Sequence, residues 1–297
     1  MNTAFILIPD FILIIFAWAL NRYTNLNKEL WIGIEKLVYW ILFPCLLLSS
    51  ASRAVIDWGD NIPMLLLIAA VMIIIASIAY ASKWILRPDP INHFSGTQTA
   101  FRFNTYIALA VAGRLGGEAG LALMAISAAC IVPLSNMLSI ITLASNKKNN
   151  IWLEILRNPF LISTVIGLTL NFSGIQLPEM IHNNLVRMGN ASIPLGLMAI
   201  GAGLQWVSTK KDLTLVGMWV TLKLMVLPLF VLIGAHIINL PEPQRINAII
   251  LASMPTATSA FVMATRMGGN GAIVSVTISV MTILAGLTVP FWLAMAK

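Results

Sequence analysis

The sequence predicts an all-α polytopic membrane protein, with ten transmembrane helices arranged as two inverted five-helix repeats. The first observation is composition: of the 297 residues, 59% are hydrophobic and 10% are charged, whereas a soluble domain carries about 25% charged residues. The second is a repeat, because proline, asparagine and glycine positions of the first half recur about 150 residues later. The third is that each half contains five apolar segments. Five is odd, so the second half must enter the membrane from the opposite side.

The internal repeat divides the chain into a first unit over residues 1–149 and a second over residues 150–297, within one integral membrane domain. It is visible with an offset of 150 residues at Pro9 and Pro159, Asn21 and Asn171, and Pro44 and Pro194. The offset is 152 at Arg114-Leu115-Gly116-Gly117 and Arg266-Met267-Gly268-Gly269. Inverted repeats are typical of secondary transporters, because two mirrored halves give mirrored inward-open and outward-open states.

The ten apolar segments are each close to the roughly 20 residues that a helix needs to cross a bilayer. In chain order they are 3–20, 35–52, 62–84, 97–115, 118–144, 157–173, 185–205, 212–238, 246–266 and 270–295. The first segment has no basic region before it and no small-residue cleavage site. It therefore predicts a retained span rather than a signal peptide.

Basic residues are distributed unequally between two sets of predicted loops, and this bias sets the orientation of a membrane protein. One set holds twelve: Arg22, Lys28, Lys36, Lys83, Arg87, Arg102, Lys147, Lys148, Arg157, Lys210, Lys211 and Arg266. The other set holds five: Arg53, Arg114, Arg187, Arg245 and Lys297. We therefore predict that both termini are outside and that the loop over residues 145–151 is cytoplasmic. The net charge of +7 is explained by these loops, so no nucleic-acid partner is predicted.

Lys223 is the remaining basic residue, and it lies inside the eighth segment. With a rise of about 1.5 Å per residue, it is placed near the middle of the membrane, where an isolated lysine costs at least about 2.5–3.5 kcal/mol. It is a candidate substrate-binding cation that attracts an anion or pairs with a carboxylate. The alternatives are a structural tether that donates to carbonyls of a broken helix, and a lysine that snorkels to the interface.

Asp10 is the other charge that the sequence places within a span, in the outer part of the first segment. It is a candidate proton site, and the alternative is an acid wetted from the outer surface. The two cysteines and three histidines are isolated from one another and from any carboxylate cluster. No metal site and no cofactor is therefore predicted.

The fourth and ninth segments hold the densest uncharged polarity, and their polar residues are candidate substrate ligands. These are Asn104 and Thr105 in the fourth segment, and Pro255, Thr256, Thr258 and Ser259 in the ninth. Proline removes a backbone donor and breaks or kinks its helix, and broken backbone at membrane depth is tolerated only where it is buried or lines a wet cavity. The positive end of the following half-helix would point at an anion. The alternative is a proline kink whose hydroxyls bond back to their own helix.

At these positions the chain resembles the auxin efflux carrier family, and in particular the bacterial permeases related to the plant auxin carriers. The resemblance covers essentially the whole chain. It rests on Asn104-Thr105, Arg157-Asn158-Pro159, Ala191-Ser192-Ile193-Pro194-Leu195, Ala199-Ile200-Gly201, Leu222-Lys223-Leu224 with Pro228, and the run from Met254 to Ala260. The family often has Gly where this chain has Phe103, and Pro near Val111. We therefore expect the break in the fourth helix to be softer than that in the ninth.

The resemblance implies that helices 4 and 9 are broken and cross at mid-membrane, next to Lys223. It implies a scaffold of helices 1, 2, 6 and 7, an elevator of helices 3–5 and 8–10, and a homodimer in the bacterial inner membrane. It also implies transport of an organic anion: a mono- or dicarboxylate such as malonate or malate, or an auxin-like acid. The chain lacks the long cytoplasmic loop of the plant carriers, which favours a bacterial-type permease.

Other functional classes are an ion channel, a membrane enzyme and a transporter-like sensor that binds an organic acid without flux. The spans contain no ring of charges typical of a channel. They contain no nucleophile–base pair, HExxH motif or carboxylate dyad, so an enzyme is not predicted. Ion coupling stays open between a proton at Asp10, sodium and uniport, although no carboxylate lies near the breaks to favour sodium.

Overall fold

The computed structural model describes residues 4–53, 58–144, 159–202, 210–257 and 259–296. Within these ranges all regular secondary structure is helical and no strand is present. A helix satisfies its backbone hydrogen bonds within one segment, which is what a chain in hydrocarbon requires. The expected all-helical architecture is therefore confirmed, and it is consistent with a polytopic membrane protein.

Helices in the first half are interrupted at several points. They are α1 (Ala4–Tyr23), α2 (Lys28–Leu37), α3 (Phe43–Ser52), α4 (Trp58–Leu86), α5 (Pro90–Thr97) and α6 (Thr105–Ala144). A π-helical turn over Val38–Leu42 joins α2 to α3, and a 3-10 turn over Gln98–Ala100 extends α5. Asp89 caps α5, since its side chain accepts from the Asn92 N–H, and Pro90 opens the helix. Both features are typical of helix N-termini.

Gly117 divides α6 into two arms, residues 105–116 and 118–144. Its φ of 59° and ψ of −147° are not helical, and a backbone of positive φ is available to glycine because it has no Cβ. Gly120 lies against the carbonyl of Ala112. Residues eight apart in a straight helix are about 12 Å apart, so this contact shows that the chain folds back at Gly117. The predicted turn between the fourth and fifth segments is at this glycine.

The second half has a similar series of helices. They are α7 (Pro159–Phe172), α8 (Glu179–Ala202), α9 (Lys210–Thr221), α10 (Leu227–Ile237), α11 (Glu242–Ser253), α12 (Ser259–Arg266) and α13 (Gly271–Met295). A π-helical turn over Leu222–Val226 joins α9 to α10. Pro228 follows this turn and has no N–H for the carbonyl four residues earlier. That carbonyl, Leu224 O, instead accepts the indole N–H of Trp292 at 2.7 Å.

Five helices in the described part of the chain are long and apolar enough to cross a membrane: Glu29–Ser49, Asn61–Leu86, Ile126–Leu143, Leu213–Ile237 and Gly271–Met295. Ten spans and their inversion stay predictions. The α5 helix begins at Pro90, before the predicted start of the fourth segment at residue 97. The predicted segment omitted residues 92–97 because most of them are polar. They are buried against protein, as where the His93 imidazole contacts the Ser82 hydroxyl at 2.9 Å.

The helices pack in two groups, which we call the α3 group and the α6 group. In the α3 group, α3 packs against α7 and α8, and both α1 and α2 pack against α8. Gly167 and Gly189 permit this approach: a Cβ on Gly189 would lie 2.7 Å from the Cα of Leu46. In the α6 group, α11 packs against α6, α10, α13 and α4, and α12 packs against α13. Its interior contains fully buried side chains such as Trp219 and Met64.

Candidate functional site

Two helix interruptions contact each other in the α6 group. The first covers Phe101–Asn104, between the 3-10 turn after α5 and the start of α6, and the second covers Met254–Ala257, after α11. The backbone N–H of Asn104 donates to the carbonyl of Pro255 at 2.8 Å. Both helices therefore lose regular structure where they meet. The expectation of a softer first break is wrong. No glycine precedes Asn104, yet Phe103 is as non-helical as its neighbours.

Asn104 explains why α6 can begin inside the protein. Its Oδ1 accepts from the backbone N–H of Ile107 at 3.2 Å, which is the bond that an N-cap residue makes to satisfy a free donor of the first turn. The side chain is buried. Thr105, half-buried, follows as the first residue of α6. The α6 N-terminus, with its partial positive charge, therefore lies at the contact with Pro255.

The second interruption brings further predicted residues to the same place. Thr256 is 1% exposed, and its hydroxyl has no hydrogen-bond partner among the described residues. Ser259 is buried and begins α12. Thr258 lies outside the described residues, as does the loop over residues 145–151. Asp10 lies in α1, but its side chain is also outside the described part.

Lys223 is 1% exposed and lies in the π-helical turn between α9 and α10. Its Nζ donates to the carbonyl of Ala252 at 2.8 Å. Ala252 is in the last turn of α11, directly before the second interruption, where carbonyls have no helical partner and carry partial negative charge. This geometry corresponds to the tether among the alternatives that the sequence left open. Lys223 holds the C-terminal end of α11 in position.

Arg102 is the second buried cation, and sequence analysis placed it wrongly in a cytoplasmic loop. It is 3% exposed and lies in the first interruption. Its Nη1 donates to Ser139 Oγ at 2.9 Å and to Met263 Sδ at 3.7 Å, and its Nη2 donates to Ser259 Oγ at 2.6 Å. The error was avoidable, because position 102 falls inside the predicted fourth segment.

Several buried polar atoms of Arg102, and of residues close in sequence to Ser139 and Ser259, have no partner among the described residues. They are Nε of Arg102, the hydroxyl of Thr256, and both amide atoms of Asn136. Asn136 is 1% exposed and lies one turn before Ser139 in the second arm of α6. Buried polar atoms are normally hydrogen-bonded to protein or water, so this region has donors and acceptors available for a ligand. The sequence did not single out Asn136, because nothing local distinguishes it from a packed asparagine.

A cavity of about 850 Å³ lies between residues of the two groups. Its walls include Trp31, Glu35 and Tyr39 on one side, and Thr265 and Arg266 of α12 on the other. The hydroxyl of Thr265 donates to Glu35 Oε1 at 3.2 Å. The guanidinium carbon of Arg266 lies 3.6 Å from the centroid of the Trp40 ring. These contacts connect the C-terminal end of α12 to α2 and the turn that follows α2.

The α12 helix separates the cavity from Arg102. Ser259 and Met263 are four residues apart and share the face that contacts Arg102. Phe261, Val262 and Thr265 line the cavity from another face, as the helical period requires. None of the described members of the predicted site lines this cavity, so the interruptions lie behind α12. In the described part of the chain, no group of three His, Cys, Asp or Glu side chains is arranged to hold a metal ion.

Comparison with known proteins gives one match over nearly the whole chain. The family described as "Membrane transport protein" matches residues 5–293, and this confirms the resemblance drawn from the sequence. The chain is also 29% identical over 133 residues to a "Putative malonate transporter" of Rhizobium meliloti (strain 1021). That match covers 44% of this chain and 42% of the relative, so less than half of each protein is compared.

Proposed function

Since this chain belongs to the family of membrane transport proteins, we propose that it is a secondary transporter that moves a small organic anion by elevator-type alternating access. The observation that carries the proposal is the contact between the two helix interruptions, where the Asn104 N–H donates to the Pro255 carbonyl. Interrupted helices that meet within the membrane are how many transporters build a substrate site, because half-helix ends supply charge and free backbone groups.

The charge around the interruptions favours an anion. The N-termini of α6 and α12 are both there, and each carries partial positive charge. Arg102 adds a full positive charge in a buried position. We assign Asn104, Thr105, Pro255, Thr256, Thr258 and Ser259 to the substrate site, and Lys223 to positioning the end of α11 beside it.

We propose a carboxylate as the substrate, either a mono- or dicarboxylate or an auxin-like acid. Malonate is the first compound to test, because it appears in the name of the partial relative from Rhizobium meliloti. A cavity of about 850 Å³ falls within the range of about 300–1,000 Å³ typical of small-molecule sites. Its cationic Lys36 and Arg266 outnumber its acidic Glu35, so it would admit anions to the neighbourhood of α12.

The proposed movement divides the chain along its two packing groups. The α3 group, with the first, second, sixth and seventh predicted spans, would act as the scaffold. The α6 group would carry the interruptions across the membrane, and the cavity with its Thr265–Glu35 contact lies at the boundary between the groups. Ten spans in two inverted repeats, a homodimer, an inner-membrane location with both termini outside, and a proton site at Asp10 belong to the same proposal.

The test is counterflow of labelled malonate in proteoliposomes, with wild type, Asn104→Asp and Asn104→Ala. Asn104→Asp keeps an oxygen for the Ile107 N–H but places a negative charge at the site. We expect it to lose exchange by at least about tenfold, because like-charge contacts cost several kcal/mol. Its thermal unfolding midpoint is measured alongside, because a buried carboxylate also has a desolvation cost. We expect Asn104→Ala to lose the cap and about 0.5–2 kcal/mol of stability.

Saturable exchange by Asn104→Asp at the wild-type rate would place the substrate elsewhere. Two further results would change the functional class. Binding of carboxylates by wild type without exchange would identify a sensor. Flux that rises linearly with concentration and shows no counterflow would identify a channel.

A further inference from the structure

The second buried cation has a role that the sequence did not assign. We propose that Arg102 binds the carboxylate of the transported anion directly, with Asn136 and Thr256 as neutral partners on either side. This inference rests on the proposed transport of organic anions. It names the side chain that recognises their charge.

Arg102 is a buried cation for which the described part of the chain supplies no ion pair. No carboxylate among the described side chains lies within ion-pair distance of it, and its partners are two hydroxyls and a thioether. A buried charge is costly unless it is paired and fully hydrogen-bonded. Neutral hydroxyls offset only part of this cost, so the site is poised to accept a negative charge.

The guanidinium also has unused donors. Arginine presents five N–H groups in a planar fork, and the Nε–H has no partner among the described residues. A carboxylate can bind such a fork through two parallel charge-assisted hydrogen bonds, each about twice as strong as a neutral one. It would therefore replace or supplement the hydroxyls of Ser139 and Ser259 with a gain in binding energy.

The unpartnered neutral groups are close in sequence to the two hydroxyls that hold Arg102. Asn136 precedes Ser139 by one turn of α6, and Thr256 precedes Ser259 by three residues. Each is 1% exposed with unpaired polar atoms among the described residues. An amide, a hydroxyl and a guanidinium together supply donors and no negative charge, which is the requirement for a small carboxylate.

The ammonium of Lys223 donates to the Ala252 carbonyl, which places that cation at the end of α11 rather than between Ser139 and Ser259. Arg102 is held by Ser139 of α6 and Ser259 of α12, both in the α6 group. It would therefore travel with the substrate during an elevator movement. Pairing with one carboxylate of the anion offsets the charge of Arg102, which lowers the cost of carrying that charge past hydrocarbon.

The experiment compares wild type, Arg102→Lys and Arg102→Gln, with Arg245→Gln as the matched control. Arg245 donates from Nε to the Ala296 carbonyl, away from the interruptions. The readouts are the KM for malonate in counterflow and the malonate-dependent rise of the thermal unfolding midpoint in detergent. We expect Arg102→Gln to abolish both, and Arg102→Lys to raise KM about tenfold or more, since the two-bond geometry is lost. Arg245→Gln should keep the wild-type KM.

The results separate this inference from the proposed function. If wild type exchanges malonate and Arg102→Gln keeps its KM and its malonate-dependent stabilisation, the inference is overturned while transport stands. If Arg102→Gln does not fold, Arg102→Lys decides: a KM within about twofold of wild type, where tenfold corresponds to 1.4 kcal/mol, overturns the inference. If wild type neither exchanges nor binds any carboxylate tested, both proposals fail.

Discussion

Two buried cations lie near the helix interruptions, and their partners set them apart. Lys223 donates to a backbone carbonyl at the end of α11, and Arg102 donates to side-chain hydroxyls. The first arrangement satisfies a carbonyl that no helix bond can reach. The second binds no backbone carbonyl, and its Nε–H has no partner among the described residues. At the scale of single residues, the bonding partner therefore decides which cation is structural and which is available to an anion.

Replacing Lys223 with Met tests the structural role. The change leaves the Ala252 carbonyl unpaired in a buried position, which costs about 1–3 kcal/mol, and removal of the buried charge returns part of this. We expect a lower thermal unfolding midpoint in detergent and slower malonate counterflow, with KM within about twofold of wild type, well short of the tenfold that 1.4 kcal/mol gives.

The comparison of KM with maximal rate decides between the two roles of Lys223. A rise of KM by tenfold or more (about 1.4 kcal/mol), with unchanged stability, would return Lys223 to the substrate site. Gly217→Ala is a suitable control, because a Cβ at this position in α9 meets no atom within 4 Å.

At the scale of elements, short half-helices are held by caps and close packing rather than by length. The α5 and α12 helices have eight residues each, fewer than the roughly 12–15 that an isolated helix needs for marginal stability. The Asp89 side chain caps α5. Gly96 lies directly against the indole of Trp219 in α9. The α5 half-helix therefore depends on packing against Trp219, which is distant in the sequence.

Gly96→Ala tests this packing. The added methyl group would overlap the Trp219 ring, and overpacking of this kind costs about 1–3 kcal/mol. We expect a lower thermal unfolding midpoint, and partial recovery in the double variant Gly96→Ala/Trp219→Phe, because the smaller ring makes room. Gly217→Ala is the same substitution in open space, and should keep or slightly raise stability, since Ala favours helix over Gly by about 1 kcal/mol. Equal stability of Gly96→Ala and wild type would contradict the close contact.

At the scale of the whole molecule, the α3 and α6 groups meet at a cavity spanned by two polar contacts. The Thr265 hydroxyl bonds to Glu35, and Arg266 stacks on Trp40. A cation over an aromatic ring contributes about 0.5–1 kcal/mol at exposed sites. Contacts this weak can close one state of a transporter without trapping it. An elevator movement would have to break both.

A cross-link across this boundary tests whether the groups move apart. In a background with Cys45 and Cys130 replaced by Ser, the pair Glu35→Cys/Thr265→Cys is treated with a short bifunctional thiol reagent. We expect the cross-link to stop malonate counterflow and a reducing agent to restore it. The control pair is Arg53→Cys/Glu179→Cys, which replaces an exposed ion pair of 3.0 Å between the end of α3 and the start of α8.

The control pair lies within the α3 group, so its cross-link should leave counterflow unchanged. Full activity of the cross-linked Glu35/Thr265 pair would show that the two groups do not separate at this boundary. Loss of activity in both pairs would place the moving boundary elsewhere in the α3 group.

The sequence by itself determined the membrane class, the all-helical fold and some of the places where helices break. Hydropathy, proline and glycine act locally: a chain in lipid must satisfy its backbone within each segment, and Pro255 and Gly117 interrupt helices through their own covalent structure. These features can therefore be predicted from short windows of residues. The polar runs around Asn104 and Thr256 were recognised for the same reason.

Only the tertiary structure decided which groups meet. The Asn104 N–H reaches the Pro255 carbonyl across 151 residues, and Lys223 reaches Ala252 rather than a carboxylate. Arg102 was predicted in a loop, but it lies buried between Ser139 and Ser259. The partners are carbonyls and hydroxyls, which occur throughout the chain and carry no distinguishing sequence signal. Packing alone selects one of them, because each buried donor must find its acceptor within about 3 Å.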